Sequence, residues 1–199
     1  MLVIGLVGGI GSGKSVAAAI LAELGAELIN ADVVGHEVYE PGKPGFDAIV
    51  AEFGSDVVGA DGRIDRKRLG PLVFGDDAKL SRLNAIVHPL IHAEIERCIT
   101  RARARDGVRA VVVEAAILLE AGWRSLVDQV WVVSARREDV VQRLASQRGM
   151  AAAATNARMA KQMTDGERRS AADVVIENAG SLDELRTRLA GLWQTLVPR

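Results

Sequence analysis

Eight residues near the N-terminus, Gly8-Gly9-Ile10-Gly11-Ser12-Gly13-Lys14-Ser15, fit the spacing G-x-x-x-x-G-K-S/T in full. Each residue type has a physical task there. Glycines reach backbone conformations that turn successive amides into one concavity, where a phosphate chain finds N–H donors in place of water. A helix opening near Gly13 adds about half a unit of positive charge at its N-terminus. Lys14 is placed to bridge the β- and γ-phosphates, and the Ser15 hydroxyl to ligate Mg²⁺. Gly8, Gly9, Gly11, Ser12, Gly13, Lys14, Ser15 and Val16 are therefore the expected nucleotide contacts. The pattern predicts a nucleoside-triphosphate site but no particular reaction, since ATPases, GTPases, regulators and kinases share it.

Asp32 comes 17 residues after Ser15, just past a second short strand expected at Glu27–Asn30. The carboxyl ends of strands line the ligand crevice of an open parallel sheet. A carboxylate there can take a proton from an attacking hydroxyl or hold Mg²⁺ through water. It can equally be an N-cap for a helix starting at Val33. Asp32-Val33-Val34-Gly35 also spells the D-x-x-G of GTPases, but it follows the phosphate loop too closely. No Asn-Lys-x-Asp guanine-reading motif accompanies it.

From Arg136 to Arg169, eight basic residues stand against four acidic ones, a local balance of +4. A helical, Arg-rich segment before the last strand reads as a lid, with Arg143 and Arg148 as the expected phosphate contacts. One such Arg can contribute roughly 10³–10⁵ in rate. Most of the others read as solvated surface. The basic run Arg97, Arg101, Arg103 and Arg105 suits an exposed helix C-terminus. Glu114 and Glu120 bracket the end of the third strand, with a Mg²⁺-linked or substrate-facing role and a cap or surface role both open.

These residues need a framework of strands. Leu2–Val7 is an apolar run without alternation, as expected of a strand buried on both faces. Similar strands are expected at Glu27–Asn30, Arg109–Val113, Gln129–Val133 and Asp173–Ile176. Helical patterns lie between them: Ser15–Leu24, much of Phe46–Arg105 with breaks at Gly59–Gly62 and Gly75–Asp77, Arg137–Gln147 and Ala151–Met163. Ser181-Leu182-Asp183-Glu184 is a capping box that opens a last helix to about Leu196. Pro89 is expected in the first turn of a helix, with His88 just before it. Alternating strands and helices imply an α/β fold with right-handed crossovers.

Composition narrows the classes further. The 199 residues are 49% hydrophobic and 26% charged, and 25 Lys+Arg against 26 Asp+Glu leave a net charge of −1. A chain of this size buries roughly 70% of its unfolded surface and needs no staple. The neutral balance and 4% aromatics oppose a general nucleic-acid binder. A single cysteine, Cys98, excludes an intramolecular disulfide and a Cys-rich zinc site. The longest charge-free apolar stretch, Met1 to Gly13, is too short to span a bilayer, and no basic region precedes it as in a signal peptide. A reducing, cytoplasmic location is expected, and oligomeric state is not legible.

Taken together, the motifs resemble the dephospho-CoA kinase family along almost the whole chain. Ile4-Gly5-Leu6 leads into the loop as in that family, and Ala31-Asp32 looks like the end of its Asp-Ala-Asp motif. Phe53-Gly54, Asp61-Gly62-Arg63-Ile64-Asp65-Arg66, Val73-Phe74, His88-Pro89 and Leu118-Leu119-Glu120 resemble later landmarks. Arg143, Arg148, Arg158 and Gln162 fall at its lid positions, and Ala172-Asp173 and Asn178 at its closing strand. Ala115 to Trp123 is similar to the kinase part of animal bifunctional CoA synthases. The departures are Asn30 for the first Asp of the motif, His36 where many members have Arg, Val16 where a second hydroxyl is usual, and Ala116 where bacterial members often have Pro.

The resemblance implies a P-loop kinase with a five-stranded parallel sheet, an inserted helical substrate domain and a helical lid. The nucleotide-binding core would comprise 1–34, 107–135 and 170–199, the substrate domain 35–106 and the lid 136–169. It implies ATP-dependent phosphorylation of the ribose 3′-hydroxyl of dephospho-CoA, with ATP as co-substrate and Mg²⁺ as cofactor. Asp32, Lys14 and Arg143 would be catalytic, and Ser15 and Asp32 would serve the metal. Arg148 and Asn178 would join the loop in binding nucleotide. Asp32, His36, Arg66 and His88 would face the substrate, although His88 also suits a structural role at a helix start. Another small-molecule or nucleoside-monophosphate-type kinase, or an ATP-binding regulator without turnover, remain the alternatives.

Overall fold

The structure, a computed structural model, describes residues 1–197. In chain order the elements are β1 (Leu2–Val7), α1 (Lys14–Glu23), β2 (Glu27–Asn30), α2 (Ala31–Glu37) and α3 (Pro44–Phe53). They continue with α4 (Arg66–Phe74), α5 (Asp77–Arg103), β3 (Ala110–Glu114), β4 (Gln129–Ser134) and α6 (Arg137–Arg148). The last four are α7 (Ala152–Met159), α8 (Asp165–Ser170), β5 (Val174–Glu177) and α9 (Leu182–Leu196).

The five strands form one parallel sheet in the order β2-β3-β1-β4-β5. β1 pairs with β3 from Leu2↔Ala110 to Leu6↔Glu114, and with β4 from Ile4↔Gln129 to Val7↔Val132. β1, β3 and β4 are buried almost throughout, which explains why they read as continuous apolar runs. Helices cover both faces. One core joins Ile4, Leu6, Val112 and Trp131 to Ile20 and Leu21 of α1 and to Leu189 and Trp193 of α9. The chain leaves β1 toward β2 on one side and leaves β3 toward β4 on the other. The strand order therefore reverses between β1 and β3, and ligands bind outside the carboxyl ends of strands at such a switch point.

Two compact units are present: Met1–Ile29 with the described chain from Ile99 onward, and Asn30–Cys98. The second unit is helical, with an antiparallel bridge between Val58 and Ile64 closing the loop before α4. Its edges differ from the expected 35–106. The 136–169 segment, expected as a lid, comprises α6, α7 and most of α8 within the first unit.

Three local expectations are corrected. Pro89 does not start a helix, because it lies inside α5, twelve residues past Asp77. Proline forfeits one helical hydrogen bond, but a helix of 27 residues has many others to hold its course. Asp32 is not a cap, because α2 begins at Ala31 and Asn30 caps it, accepting from the Asp32 and Val33 amides at 2.9 and 3.1 Å. The Ala151–Met163 pattern ends early. α7 stops at Met159, and Thr164 opens α8 with a capping box to Glu167.

Candidate active site

The phosphate loop joins the central strand β1 to α1. Gly13 is the N-cap of α1 at φ 94°, a left-handed conformation that favours glycine. Lys14 and Ser15 are thus the first helical residues, and their side chains converge on one atom across the switch point. Lys14 Nζ donates to Glu114 Oε1 at 2.7 Å, and Ser15 Oγ donates to the same oxygen at 2.6 Å. Glu114 ends β3 and is 7% exposed. The pairing follows from the register Leu6↔Glu114, which sets the last residue of β3 beside the strand that launches the loop.

Side chains from distant elements fix the loop by its carbonyls. Arg143 Nη1 in α6 donates to Gly11 O at 2.8 Å, and the buried Asn178 after β5 donates to Ser12 O at 2.7 Å. In a trans peptide the C=O and the following N–H point opposite ways. Anchoring Ser12 O therefore turns the Gly13 amide to the other side of the loop. Among the described residues no acceptor bonds the Gly13, Lys14 or Ser15 amides, so these donors stand open. The Gln162 side chain accepts the Ile10 amide at 3.0 Å. Ser12 is buried with its hydroxyl unpartnered, whereas Val16 is 44% exposed. Arg148, expected at the phosphates, is exposed in the last turn of α6 and makes no described contact with the loop.

In the second unit, Asp32 sits in the first turn of α2, exposed, and its carboxylate accepts no hydrogen bond from a described residue. Its main-chain amide is held by Asn30, so the residue that replaces the family's first Asp positions the retained one. Arg66 Nη1 lies 2.7 Å from His36 Nε2. Because a guanidinium cannot accept, Nε2 is the acceptor and the ring proton resides on Nδ1. Burial and then the Arg66 charge hold His36 below its ordinary pKa, opposed by Asp32 one turn earlier. Tyr39 packs edge-on against His36, and burial raises its phenol pKa. His88 lies in mid-helix, half-buried, with its pKa lowered by burial.

The structure thus resolves the two roles open for Glu114 from the sequence and adds Arg168, for which local sequence carries no signal. A terminal acidic residue on an otherwise apolar strand was the available signal for Glu114. Among the described residues no group of three or more His, Cys, Asp or Glu is arranged to hold a metal ion. The donor pair Ser15 Oγ and Glu114 Oε1, 2.6 Å apart, nevertheless suits Mg²⁺, which prefers a few hard oxygens completed by water and phosphate. No described helix is long and apolar enough to cross a membrane.

Comparison with known proteins agrees with this geometry. The sequence profile of the dephospho-CoA kinase family matches residues 2–184. A dephospho-CoA kinase of Frankia casuarinae is 46% identical over 199 residues, covering all of this chain and 85% of that protein. A crystal structure from Thermus thermophilus superimposes with a TM-score of 0.82 at 32% identity, over 99% of this chain and 98% of the other. A dephospho-CoA kinase from Campylobacter jejuni shares the fold, with a TM-score of 0.73 at 24% identity over 96% and 95% of the two chains.

Proposed function

The chain belongs to the dephospho-CoA kinase family, and from that membership we infer how its residues carry ATP-dependent phosphorylation of dephospho-CoA in coenzyme A biosynthesis. The observation that carries the mechanism is the convergence of Lys14 and Ser15 on Glu114 beside open loop amides. The amides of Gly13, Lys14 and Ser15 take phosphate oxygens, with the α1 dipole behind them. Lys14 exchanges Glu114 for the phosphate chain and stabilises charge on the transferred group. When bound, Mg²⁺ would be held by the oxygens of Ser15 and Glu114. The ion, when bound, neutralises phosphate charge and orients the leaving group. Arg143 and Asn178 keep the loop in its donor-presenting form.

The acceptor is the ribose 3′-hydroxyl of dephospho-CoA. Asp32 orients that hydroxyl and takes its proton as the hydroxyl oxygen bonds to the γ-phosphorus and the bond from that phosphorus to the bridging oxygen breaks, releasing ADP. Little covalent chemistry falls to the protein in phosphoryl transfer, so aiming the hydroxyl matters more than abstracting its proton. His36 and Arg66 offer a cation and a ring donor to the anionic substrate, and His88 supports the helix against which it binds. An open cleft of about 670 Å³ bordered by Asn178, Ala179, Gly180 and the start of α9 suits the nucleoside of ATP. Location in the cytoplasm follows the same family reading. The test is ADP release by the purified protein with Mg²⁺ and ATP. Release that depends on dephospho-CoA supports the reading, and release indifferent to dephospho-CoA defeats it.

A further inference from the structure

α8 carries two adjacent arginines with opposite surroundings. Arg169 is exposed and surrounded by acceptors: Glu177 at 2.5 Å, the Ser134 hydroxyl at 3.0 Å and Asp165 at 3.9 Å. Its role is to tie α8 to β4 and β5. Arg168 points the other way and is 6% exposed. No described carboxylate lies within ion-pair distance of it, and its Nε is buried with no hydrogen-bond partner. The guanidinium ends against the phosphate loop, where Nη2 stands 2.7 Å and Cζ 3.4 Å from the point a Cβ on Gly9 would occupy. Gln162 Oε1, which holds the Ile10 amide, is 3.6 Å from the same point.

A buried guanidinium is normally matched by a carboxylate, because an uncompensated charge in a dry environment is strongly unfavourable. Glu167, the neighbouring acid, is spent on the Thr164 cap instead. The unmatched charge faces a loop whose free amides await an anion. We propose that Arg168 is a phosphate-binding cation of the nucleotide site, held against Gly9 until the terminal phosphate of ATP supplies its counter-charge. The proposal rests on the reading of the loop as an ATP site and adds a residue to it. Lys14 and the α1 N-terminus serve one end of the loop, and Arg168 serves the end at Gly9-Ile10. Charge spreads over the equatorial oxygens of the phosphoryl group during transfer, so a cation there acts most strongly in the transition state. Gly9 leaves room for this placement: its backbone is not in the left-handed region, and a Cβ there would displace the tip of the guanidinium.

The full chain, Arg168→Met, Arg168→Lys and Gly9→Ala are compared for melting temperature, affinity for MgATP and for MgADP, and kcat with dephospho-CoA. For Arg168→Met the melting temperature without nucleotide is expected to hold or rise, because an unpaired buried charge has been removed. Its MgATP affinity is expected to fall about tenfold or more while MgADP affinity changes less than about threefold, and kcat to fall by about 10²-fold or more. Arg168→Lys should recover part of kcat. Gly9→Ala should lower kcat in the wild-type background but add little to Arg168→Met, since both act through one guanidinium. A lower melting temperature with ATP affinity and kcat intact would make Arg168 a packing residue and overturn the proposal. Equal losses for ATP and ADP, or an undiminished effect of Gly9→Ala in the Arg168→Met background, would also overturn it. If the wild-type chain itself neither bound MgATP nor phosphorylated dephospho-CoA, the functional reading would fall and this proposal with it. Wild-type transfer with unchanged variants would remove this proposal alone.

Discussion

Lys14 and Glu114 form a buried ion pair at 2.7 Å that joins the first residue of α1 to the last residue of β3, and Ser15 shares the same carboxylate oxygen. The side-chain exposures are 12% and 8%, so little water screens the pair. Without nucleotide, Glu114 stands where phosphate charge would otherwise balance Lys14. On the mechanism proposed above, nucleotide binding would exchange one anionic partner of the Lys14 ammonium for another.

Removing one member of that pair should be costly. Glu114→Ala strands a buried ammonium and is expected to destabilise the nucleotide-free protein by about 3–5 kcal/mol, as read by denaturant unfolding. MgATP should recover more stability in this variant than in the wild type, because phosphate replaces the missing carboxylate. A variant as stable as wild type would show that the pair contributes nothing.

Asn178→Ala is expected to leave the Ser12 carbonyl unpaired and the Gly13 peptide free to turn. The loss is about 1–3 kcal/mol of stability together with weaker MgATP binding. Denaturant unfolding reads the first effect and calorimetric titration with MgATP the second, both separately from turnover. Unchanged ATP affinity would detach Asn178 from the loop's geometry.

Two roles meet at the start of α2, and two substitutions separate them. Asn30→Ala removes the cap and should cost about 1 kcal/mol of stability. Asp32→Asn removes no contact that holds the fold, so stability and ATP affinity should persist while kcat falls by about 10²-fold or more. Near-normal turnover in Asp32→Asn would return Asp32 to a surface role.

The contact between Arg66 and His36 predicts a pH dependence whose sign follows from His36. Its folded pKa lies below the ordinary 6.5 because burial and Arg66 disfavour the imidazolium. The contribution is therefore full above 6.5 and is lost as pH falls through the lower folded value, where Nε2 takes a proton and can no longer accept from Arg66. His88, lowered by burial, adds a term of the same sign. Unfolding free energy should rise with pH in that window, and His36→Gln should flatten part of the rise. NMR titration of the three histidines checks the direction, and a His36 pKa above 6.5 would contradict it.

Legibility in the sequence followed physical locality. The phosphate loop was readable because its function is a backbone conformation, and glycines at fixed spacing report backbone conformation directly. β1 and β2 lie at their expected limits, β4 extends one residue further and β3 and β5 are shifted by one residue; the inner strands β1, β3 and β4 leave uninterrupted apolar runs because both their faces are buried. The capping box at Ser181 was legible for the same local reason, and the one at Thr164-Asp165-Gly166-Glu167 was equally readable. It was hidden by extending the Ala-rich helical pattern to Met163. Long-range partners left no such trace. Gln162 reaches Ile10 across 152 positions and Asn178 reaches Ser12 across 166, so only folding shows which polar groups of the 136–169 region and its successor touch the loop. Arg143 and Arg148 look alike on the page, yet only Arg143 turns toward Gly11. Pro89 departs from expectation because a local rule for proline yields to the packing of a long helix.

The most direct test follows the label from γ-³²P-ATP with Mg²⁺ and dephospho-CoA, comparing the wild type with Lys14→Met and Asp32→Asn. Label is expected on the ribose 3′-oxygen of the product with the wild type, and almost none there with either variant. Only Asp32→Asn should still bind ATP. Label that stays in ATP, appears only in inorganic phosphate, or reaches dephospho-CoA equally well with all three proteins would contradict the proposed mechanism.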